Sequence, residues 1–251
     1  ALPRSVPISI EGVTFAYAGG EPVLADVDLE IAPGERIAFV GPTGAGQSTL
    51  AKLIARFYDP VEGSIRMGDV DLRDATSESL RHEVVVVPQE GYLFSGTVAD
   101  NIRVARPEAT DAEVREALER IGVLERFATL PEGLQTEVRE RGSRLSAGEK
   151  QLVSLARAAL ADPSVLILDE ATSSVDPGTE AAVETAMETL MQGRTVIAIA
   201  HRLSTSERCD RVAVVDAGRL RELGTHDELV AAGGAYAALY DAWTSGLAGT
   251  G

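Results

Sequence analysis

Lysine is nearly absent from this chain, and acidic residues far outnumber basic ones. Lys52 and Lys150 are its only lysines, 39 residues are Asp or Glu against 23 that are Lys or Arg, and the formal net charge is −16. Proteins that bind nucleic acid usually present a basic face, so this charge argues against that class of partner. An acidic excess by itself serves solubility and identifies no ligand.

Cysteine occurs once, at Cys209. A single thiol excludes a disulfide within the chain and fits a reducing compartment. No apolar run approaches the roughly 18–20 residues that a membrane-spanning helix needs. No secretory signal peptide is visible, and the first residue is Ala1 rather than Met, so we expect the sequence to be cut from a longer polypeptide.

Apolar residues are plentiful, at 45% of 251 positions, which is enough for one large domain or two small ones. Alternating polarity predicts strands near the N-terminus and again around residues 63–72. Short apolar runs predict further, buried strands at 37–40, 84–87, 165–168 and 195–200. Helical signals separate these runs, so the sequence predicts a mostly parallel α/β core.

Helix signals occur at several places. Leu50, Leu53, Ile54 and Phe57 recur at helical spacing, and residues 97–160 carry enough helical patterns to predict an inserted subdomain. The other expected elements are a helix capped by Thr110 and Glu113, a helix starting at Asp176-Pro177, a hairpin around 216–218, and a last helix from Asp227 to Trp243 before a frayed tail.

The stretch GPTGAGQST, Gly41 to Thr49, has the pattern of a phosphate-binding loop with one change: Gln47 stands where the pattern requires lysine. Backbone N–H groups of such a loop and of the following helix form an anion site. Ser48 would bind Mg²⁺, and Thr49 would donate a hydrogen bond to a phosphate. The alternative is an ordinary strand-to-helix turn.

Polar residues follow three of the predicted buried strands. In VLILDE, Asp169 would hold Mg²⁺ and Glu170 would deprotonate a water, because ligands bind at the carboxyl ends of strands in open α/β sheets. Gln89 follows VVVVP and His201 follows TVIAIA at the same predicted edge. The alternatives are a solvated acidic loop and side chains that only form structural hydrogen bonds.

The stretch LSAGEKQ, Leu145 to Gln151, precedes another predicted helix. Ser146 and the backbone N–H of Gly148 could bind an anion at the start of that helix. Ser146 and Glu149 also have the spacing of a capping box, so a plain helix cap is the alternative.

These motifs, in this order, resemble those of the nucleotide-binding domain of an ATP-binding cassette (ABC) transporter over essentially the whole chain. GPTGAGQST is similar to the Walker A loop, VLILDE to the Walker B strand and LSAGEKQ to the signature motif. The resemblance extends to the Q-loop at Gln89, the D-loop from Ser173 to Asp176, the switch histidine at His201, and the aromatic residue that stacks on adenine at Tyr17. The segments QEGYLFSGTVADNI, TEVRERG and GTHDELVAAGGAYAALY resemble those of exporters.

The resemblance implies an α/β P-loop NTPase (RecA-like) core with a mostly parallel sheet, an N-terminal antiparallel β subdomain and an inserted α-helical subdomain. The whole chain, 1–251, would be one such domain. The core and β subdomain would occupy about 7–90 and 161–243, the helical subdomain with the signature about 91–160, and the tail 244–251.

The implied function is the ATP-binding and hydrolysing motor of an exporter at the cytoplasmic face of the membrane, with ATP and Mg²⁺ as cofactors. Its partners would be a second cassette, in a head-to-tail homodimer or heterodimer, and transmembrane domains on the same polypeptide N-terminal to residue 1. Nucleic acid is not expected as a partner.

The resemblance also assigns roles to residues. The catalytic residues would be Glu170, His201, Gln89 and Gln47. Mg²⁺ would be bound by Ser48, Gln89 and Asp169. ATP would be bound by Tyr17, Gly41, Pro42, Thr43, Gly44, Ala45, Gly46, Gln47, Ser48 and Thr49, and across the dimer by Ser146, Ala147, Gly148, Glu149 and Asp176.

Three residues depart from the family pattern: Gln47 in Walker A, and Ala147 and Glu149 in a signature that is usually LSGGQ. Gln47 keeps a hydrogen-bond donor and loses the positive charge, so we expect weakened ATP binding and hydrolysis lowered ~10²–10³-fold, at the upper end of that range. Gln47 is either an engineered substitution or a naturally degenerate site. The alternative functions are a regulatory cassette that binds ATP without turnover and, with less support, a soluble ABC ATPase.

Overall fold

The computed structural model describes residues 2–88, 91–138, 145–169, 177–200 and 203–248. Its contacts divide the chain into two compact units. The first comprises Ala1–Val84, Ser164–Ala171 and Arg194–Gly251, and the second comprises Val85–Pro163 and Thr172–Gly193. The second unit therefore also contains the helix that follows residue 176, which the predicted division assigned to the core.

An antiparallel sheet forms the N-terminal part of the first unit. Its strands are β1 (Ile8–Phe15), β2 (Leu24–Ile31), β4 (Glu62–Met67) and β5 (Val70–Asp71), in the order β2-β1-β4-β5. The strand pairs β1–β2, β1–β4 and β4–β5 are all antiparallel. The sequence prediction of an N-terminal antiparallel β subdomain is therefore confirmed.

The second sheet has the order β12-β11-β3-β10-β9-β6. Its strands are β3 (Arg36–Val40), β6 (Val84–Val87), β9 (Val165–Asp169), β10 (Thr195–Ile199), β11 (Arg211–Asp216) and β12 (Arg219–Gly224). Strand β3 lies parallel to both β10 and β11, and β10 lies parallel to β9, while β12 returns antiparallel to β11. The predicted mostly parallel core is present, and its central strands are buried along nearly their whole length, as parallel strands usually are.

Among its described residues, the first unit also contains five helices and one 3-10 turn. The helices are α1 (Gln47–Ile54), α2 (Ser77–Glu83), α8 (Leu203–Glu207), α9 (His226–Ala232) and α10 (Ala235–Ala248), and the turn lies at Leu72–Asp74. The prediction of one helix from Asp227 to Trp243 is wrong. Gly233, with φ 67°, ends α9 in the left-handed conformation that often terminates helices, and α10 then continues to Ala248. Helix α2 was not predicted.

The second unit is mainly helical, as predicted. It contains α3 (Val98–Arg103), α4 (Asp111–Arg120), α5 (Leu124–Ala128), α6 (Ala147–Ala161), α7 (Pro177–Met191) and a 3-10 turn at Gly133–Gln135. Helix α4 has the predicted capping box between Thr110 and Glu113. A short antiparallel pair, β7 (Gly96–Thr97) with β8 (Glu137–Val138), was not predicted. None of the described helices combines the length and apolarity needed to cross a membrane.

Candidate active site

The glycine loop joins β3 to α1 in a shape that requires glycine at both ends. Gly41 has φ 148°, and a Cβ there would lie 2.0 Å from the carbonyl oxygen of Val215. Gly46 has φ 118°, and a Cβ there would lie 2.7 Å from Cδ2 of Leu24. A side chain at either position would collide with these atoms, so the two glycines let the loop lie close to Val215 and Leu24.

Backbone hydrogen bonds stabilise the loop from within and from outside. The Ala45 N–H donates to the Pro42 carbonyl at 3.0 Å, which closes a turn. The Ala45 carbonyl in turn accepts from the N–H of Gly218, at 3.0 Å. Gly218 belongs to the tight turn between β11 and β12, and its carbonyl accepts from Ala25 at 2.9 Å. The loop is therefore braced by the β11–β12 hairpin and does not depend on its own sequence alone.

The N-terminus of α1 has no side-chain cap. Its N-cap residue is Gly46, and its first turn contains no acidic residue. Helices α3, α4, α6 and α9, by contrast, each begin with a complete capping box. The first N–H groups of a helix lack intrahelical partners and carry partial positive charge. A Cβ at Gly44 would meet no atom within 4 Å, so the loop is open to solvent at this residue.

The first residues of α1 place three polar side chains differently. Gln47 is 8% exposed, and its side-chain Nε2 donates to the Pro42 carbonyl at 3.3 Å, so the side chain folds back over the loop. Ser48 is exposed. Thr49 is buried, and its Oγ1 lies 3.1 Å from the hydroxyl of Tyr17.

Tyr17 follows β1 and packs in a cluster of three aromatic rings. Its ring centroid lies 5.0 Å from that of Phe15 and 5.3 Å from that of Tyr58, and both contacts are nearly perpendicular. Tyr17 was predicted from the sequence, whereas Phe15 and Tyr58 were not. Phe57 was expected on the apolar stripe of α1, but this helix ends at Ile54 and Phe57 is 61% exposed.

Asp169 is the last residue of β9, at the same sheet edge as the loop. It pairs in register with Ile199 of β10, and Ile199 pairs with Phe39 of β3, two residues before Gly41. Strands β9 and β3 flank β10, so they lie two strand spacings apart, or about 10 Å. The sheet therefore places Asp169 near the start of the loop, as the sequence predicted.

Two oxygen donors from this edge suit a magnesium ion that also binds phosphate. Magnesium usually keeps several waters and takes only one or two carboxylates from the protein. Asp169 supplies a carboxylate, and Ser48, exposed at the start of α1, supplies a hydroxyl. No cluster of three or more His, Cys, Asp or Glu side chains that could hold a metal alone occurs in the described ranges.

In the second unit, the signature segment forms the helix cap that was the alternative interpretation. Ser146 caps α6: its Oγ accepts from the Glu149 N–H at 3.2 Å, and its own N–H donates to Glu149 Oε2 at 2.8 Å. Ser146 and Ala147 are exposed, whereas Gly148 is buried. The Ser146 hydroxyl can still donate its proton, so anion binding here stays a prediction.

Four predicted site residues lie outside the described residues: Gln89, Glu170, Asp176 and His201. The structure brings Tyr17, the loop from Gly41 to Thr49, and Asp169 together within the first unit, and it places Ser146 to Glu149 in the second. The roles assigned to all of these residues stay predictions.

Comparison with known proteins shows the family of this chain. Residues 24–173 match the family model described as ABC transporter. The chain is 48% identical over 235 residues to the uncharacterized ABC transporter ATP-binding protein YknV of Bacillus subtilis (strain 168), covering 94% of this chain and 39% of that protein. It is 47% identical over 232 residues to the beta-(1→2)glucan export ATP-binding/permease protein NdvA of Bradyrhizobium diazoefficiens, covering 92% and 38%.

A solved structure is also similar: that of a bacterial Atm1-family ABC exporter with ATP bound. Its TM-score is 0.87 at 41% identity, and the match covers 96% of this chain and 42% of that one. This chain thus spans about two-fifths of the length of the relatives described here.

Proposed function

The chain belongs to the ABC transporter family, as an ATP-binding domain of the exporter type with the P-loop NTPase fold, and we propose that it couples ATP binding and hydrolysis to the export of a substrate. The observation that carries this proposal is the N-terminus of α1, which has no side-chain cap and directly follows the glycine loop. The loop lies at the same sheet edge as Asp169. The exporter relatives are consistent with it.

The loop geometry supports binding of a triphosphate. Backbone N–H groups of the loop and of the first turn of α1 donate to phosphate oxygens, and the helix dipole favours their negative charge. The glycines at 41 and 46 allow the backbone to approach without a side chain in the way. Tyr17 offers an aromatic ring for the adenine base, on the side of α1 where Thr49 lies.

Ser48 and Asp169 would hold the magnesium ion, together with the predicted ligand Gln89. When bound, Mg²⁺ neutralises charge that develops on the transferring phosphate. Glu170, immediately after Asp169 in the sequence, would accept the proton of the attacking water, and His201 would act with it as the switch histidine. These last two roles come from the family resemblance.

Gln47 changes the chemistry more than the shape of the site. Its amide already donates to the Pro42 carbonyl, and it carries no charge to stabilise the transition state. Loss of one preorganised electrostatic group commonly lowers a rate about 10²–10³-fold. Binding depends also on the backbone donors, the magnesium ligands and Tyr17, so we expect ATP affinity to fall less than the hydrolysis rate.

A second candidate function is a regulatory cassette that binds ATP without turnover, paired with a hydrolysing partner. The hydrogen bond of Gln47 within the loop favours this function, because one donor of its amide already has a partner without a phosphate. In either case the partners would be a second cassette, facing head to tail, and transmembrane domains at the cytoplasmic face of a membrane. Two exposed aromatic residues, Tyr92 and Phe94, lie in the exporter-like segment and offer a contact surface for those domains.

The test is steady-state Mg-ATP hydrolysis by three versions of the chain: the parent, Gln47→Lys, and Gln47→Lys combined with Glu170→Gln. Hydrolysis restored by the lysine and abolished by the second change supports a motor weakened at residue 47. ATP binding by all three versions with no turnover in any of them supports the regulatory cassette. A chain that binds no ATP in any version contradicts both.

A further inference from the structure

The hydroxyl of Tyr17 contacts α1, the helix that follows the glycine loop. Stacking on a base requires only the ring, so this contact indicates a second role for Tyr17. Tyr17 Oη lies 3.1 Å from Oγ1 of Thr49, within hydrogen-bond distance. Thr49 is the third residue of α1 and is 7% exposed. Its hydroxyl is therefore held between the aromatic cluster and the N-terminal turn that would bind phosphate.

The two hydroxyls can form a chain that ends on a phosphate. A hydroxyl donates one hydrogen bond and accepts two. Thr49 can therefore accept from the Tyr17 O–H while it donates its own proton to a phosphate oxygen. Hydrogen bonds in such chains polarise and strengthen one another.

The rest of the aromatic cluster keeps the Tyr17 hydroxyl in place. Phe15 and Tyr58 contact the Tyr17 ring at 85° and 89°, and they also contact each other at 5.5 Å. These contacts hold the Tyr17 ring in one orientation, and in that orientation its hydroxyl is directed toward Thr49.

We propose that Tyr17 is a positioning residue for the phosphates as well as a platform for the base, and that it acts on the phosphates through Thr49. This inference rests on the proposed function, because it requires a nucleotide at the loop. It makes base recognition and phosphate recognition parts of one hydrogen-bonded unit.

The test compares dissociation constants of ATP, ADP and adenosine, each measured by competition with a fluorescent ATP analogue. Tyr17→Phe retains the ring and removes only the hydroxyl; Thr49→Val retains the shape and removes the other hydroxyl. We expect Tyr17→Phe to weaken ATP and ADP binding up to about threefold, because the Tyr17–Thr49 bond exists without a ligand and only its orienting and polarising effect on the Thr49 hydroxyl is lost. Adenosine binding should be unchanged. The double variant should bind ATP no more weakly than Thr49→Val alone.

Tyr58→Phe is the matched control, because it removes a hydroxyl from the same cluster and is expected to change none of the three constants. Equal losses of adenosine and ATP affinity in Tyr17→Phe would show that only the ring geometry had changed. Additive losses in the double variant would show that the two hydroxyls act independently. Either result overturns the inference. A parent chain that binds ATP while Tyr17→Phe binds it equally well overturns the inference alone. A parent that binds none of the ligands overturns the proposed function too.

Discussion

Removal of one buried hydroxyl, that of Tyr236, should destabilise the C-terminal part of the first unit. Tyr236 is fully buried and packs in a core cluster with Val212 and Leu229. Its hydroxyl lies 2.7 Å from Nδ1 of His226 and donates to Oγ of Ser206 at 3.0 Å. It therefore links α10 to α9 and α8, and each of these bonds is lost in Tyr236→Phe.

The expected magnitude follows from these two bonds. Phenylalanine keeps the ring and its packing, so the lost stability is that of the hydrogen bonds, each contributing about 0.5–1.5 kcal/mol net. The sum is about 1–3 kcal/mol. With an unfolding slope in urea of about 2 kcal/mol per M, the midpoint should fall by roughly 1 M. Tyr240→Phe, whose ring also contacts His226, is the control and should shift it little.

The pH dependence gives an independent check. Burial raises the pKa of Tyr236 above its ordinary value of 10.0. The folded state therefore favours the neutral phenol, and this contribution is complete below the unfolded pKa of 10.0 and is lost as pH rises toward the folded value. The gap in urea midpoint between the parent and Tyr236→Phe should be largest at pH 8 and narrower at pH 10.5. Equal shifts in the two tyrosine variants, or a gap independent of pH, would refute the reasoning.

Three further outcomes follow from single contacts. Gly41→Ala should lose ATP binding, because its Cβ would lie 2.0 Å from the Val215 carbonyl oxygen; equilibrium binding measures this. Arg157→Met should increase chymotryptic cleavage after Tyr92, because the Arg157 guanidinium holds the Tyr92 carbonyl at 2.6 Å. Glu113→Gln should keep the cap of α4 and make the free energy of unfolding less dependent on pH in the acid range. Hydrogen bonds from the N-cap residue Thr110 lower the pKa of Glu113 below 4.5. The Glu113 carboxylate therefore contributes fully to the free energy of unfolding above pH 4.5, and this contribution is lost as pH falls through the lowered pKa. The free energy of unfolding should thus fall more steeply with acid in the parent than in the variant.

Each of these three changes has a control on the surface. Gly19→Ala also alters a glycine with positive φ but meets no atom within 4 Å, and it should leave ATP binding intact. Arg115→Met removes an exposed arginine and should leave the cleavage rate unchanged. Glu116→Gln should retain the acid response of the parent. A variant that behaves like its control would contradict the role predicted for the corresponding contact.

The fold was predictable where sequence periodicity and tertiary structure agree. Apolar runs such as 165–168 and 195–200 are short and bounded by polar residues, and they form the buried parallel strands. Helix α2 carries one buried apolar residue, Leu80, in seven positions, which is too few to produce a periodic signal. The break at Gly233 was missed because apolar residues continue at helical spacing on both sides of it, although its glycine pair was visible.

The site was predictable where it is local in sequence. The loop, α1 and Asp169 each lie on one short motif, and parallel pairing brings the motifs to one edge. The contact of Tyr17 with Thr49 joins residues 32 positions apart, and the position of Tyr58 depends on how α1 ends. Such contacts depend on packing between elements, so no short pattern encodes them.

The loop geometry and the missing charge at residue 47 are separable properties of this site. Gly41 and Gly46 set the backbone, the hairpin residue Gly218 braces it, and the first N–H groups of α1 stay free of any side-chain cap. None of these features requires a lysine. Gln47 fits the same loop and donates within it. Under the proposed function, these donors would bind the triphosphate and residue 47 would supply no charge to its transition state, so binding and hydrolysis should respond differently to Gln47→Lys.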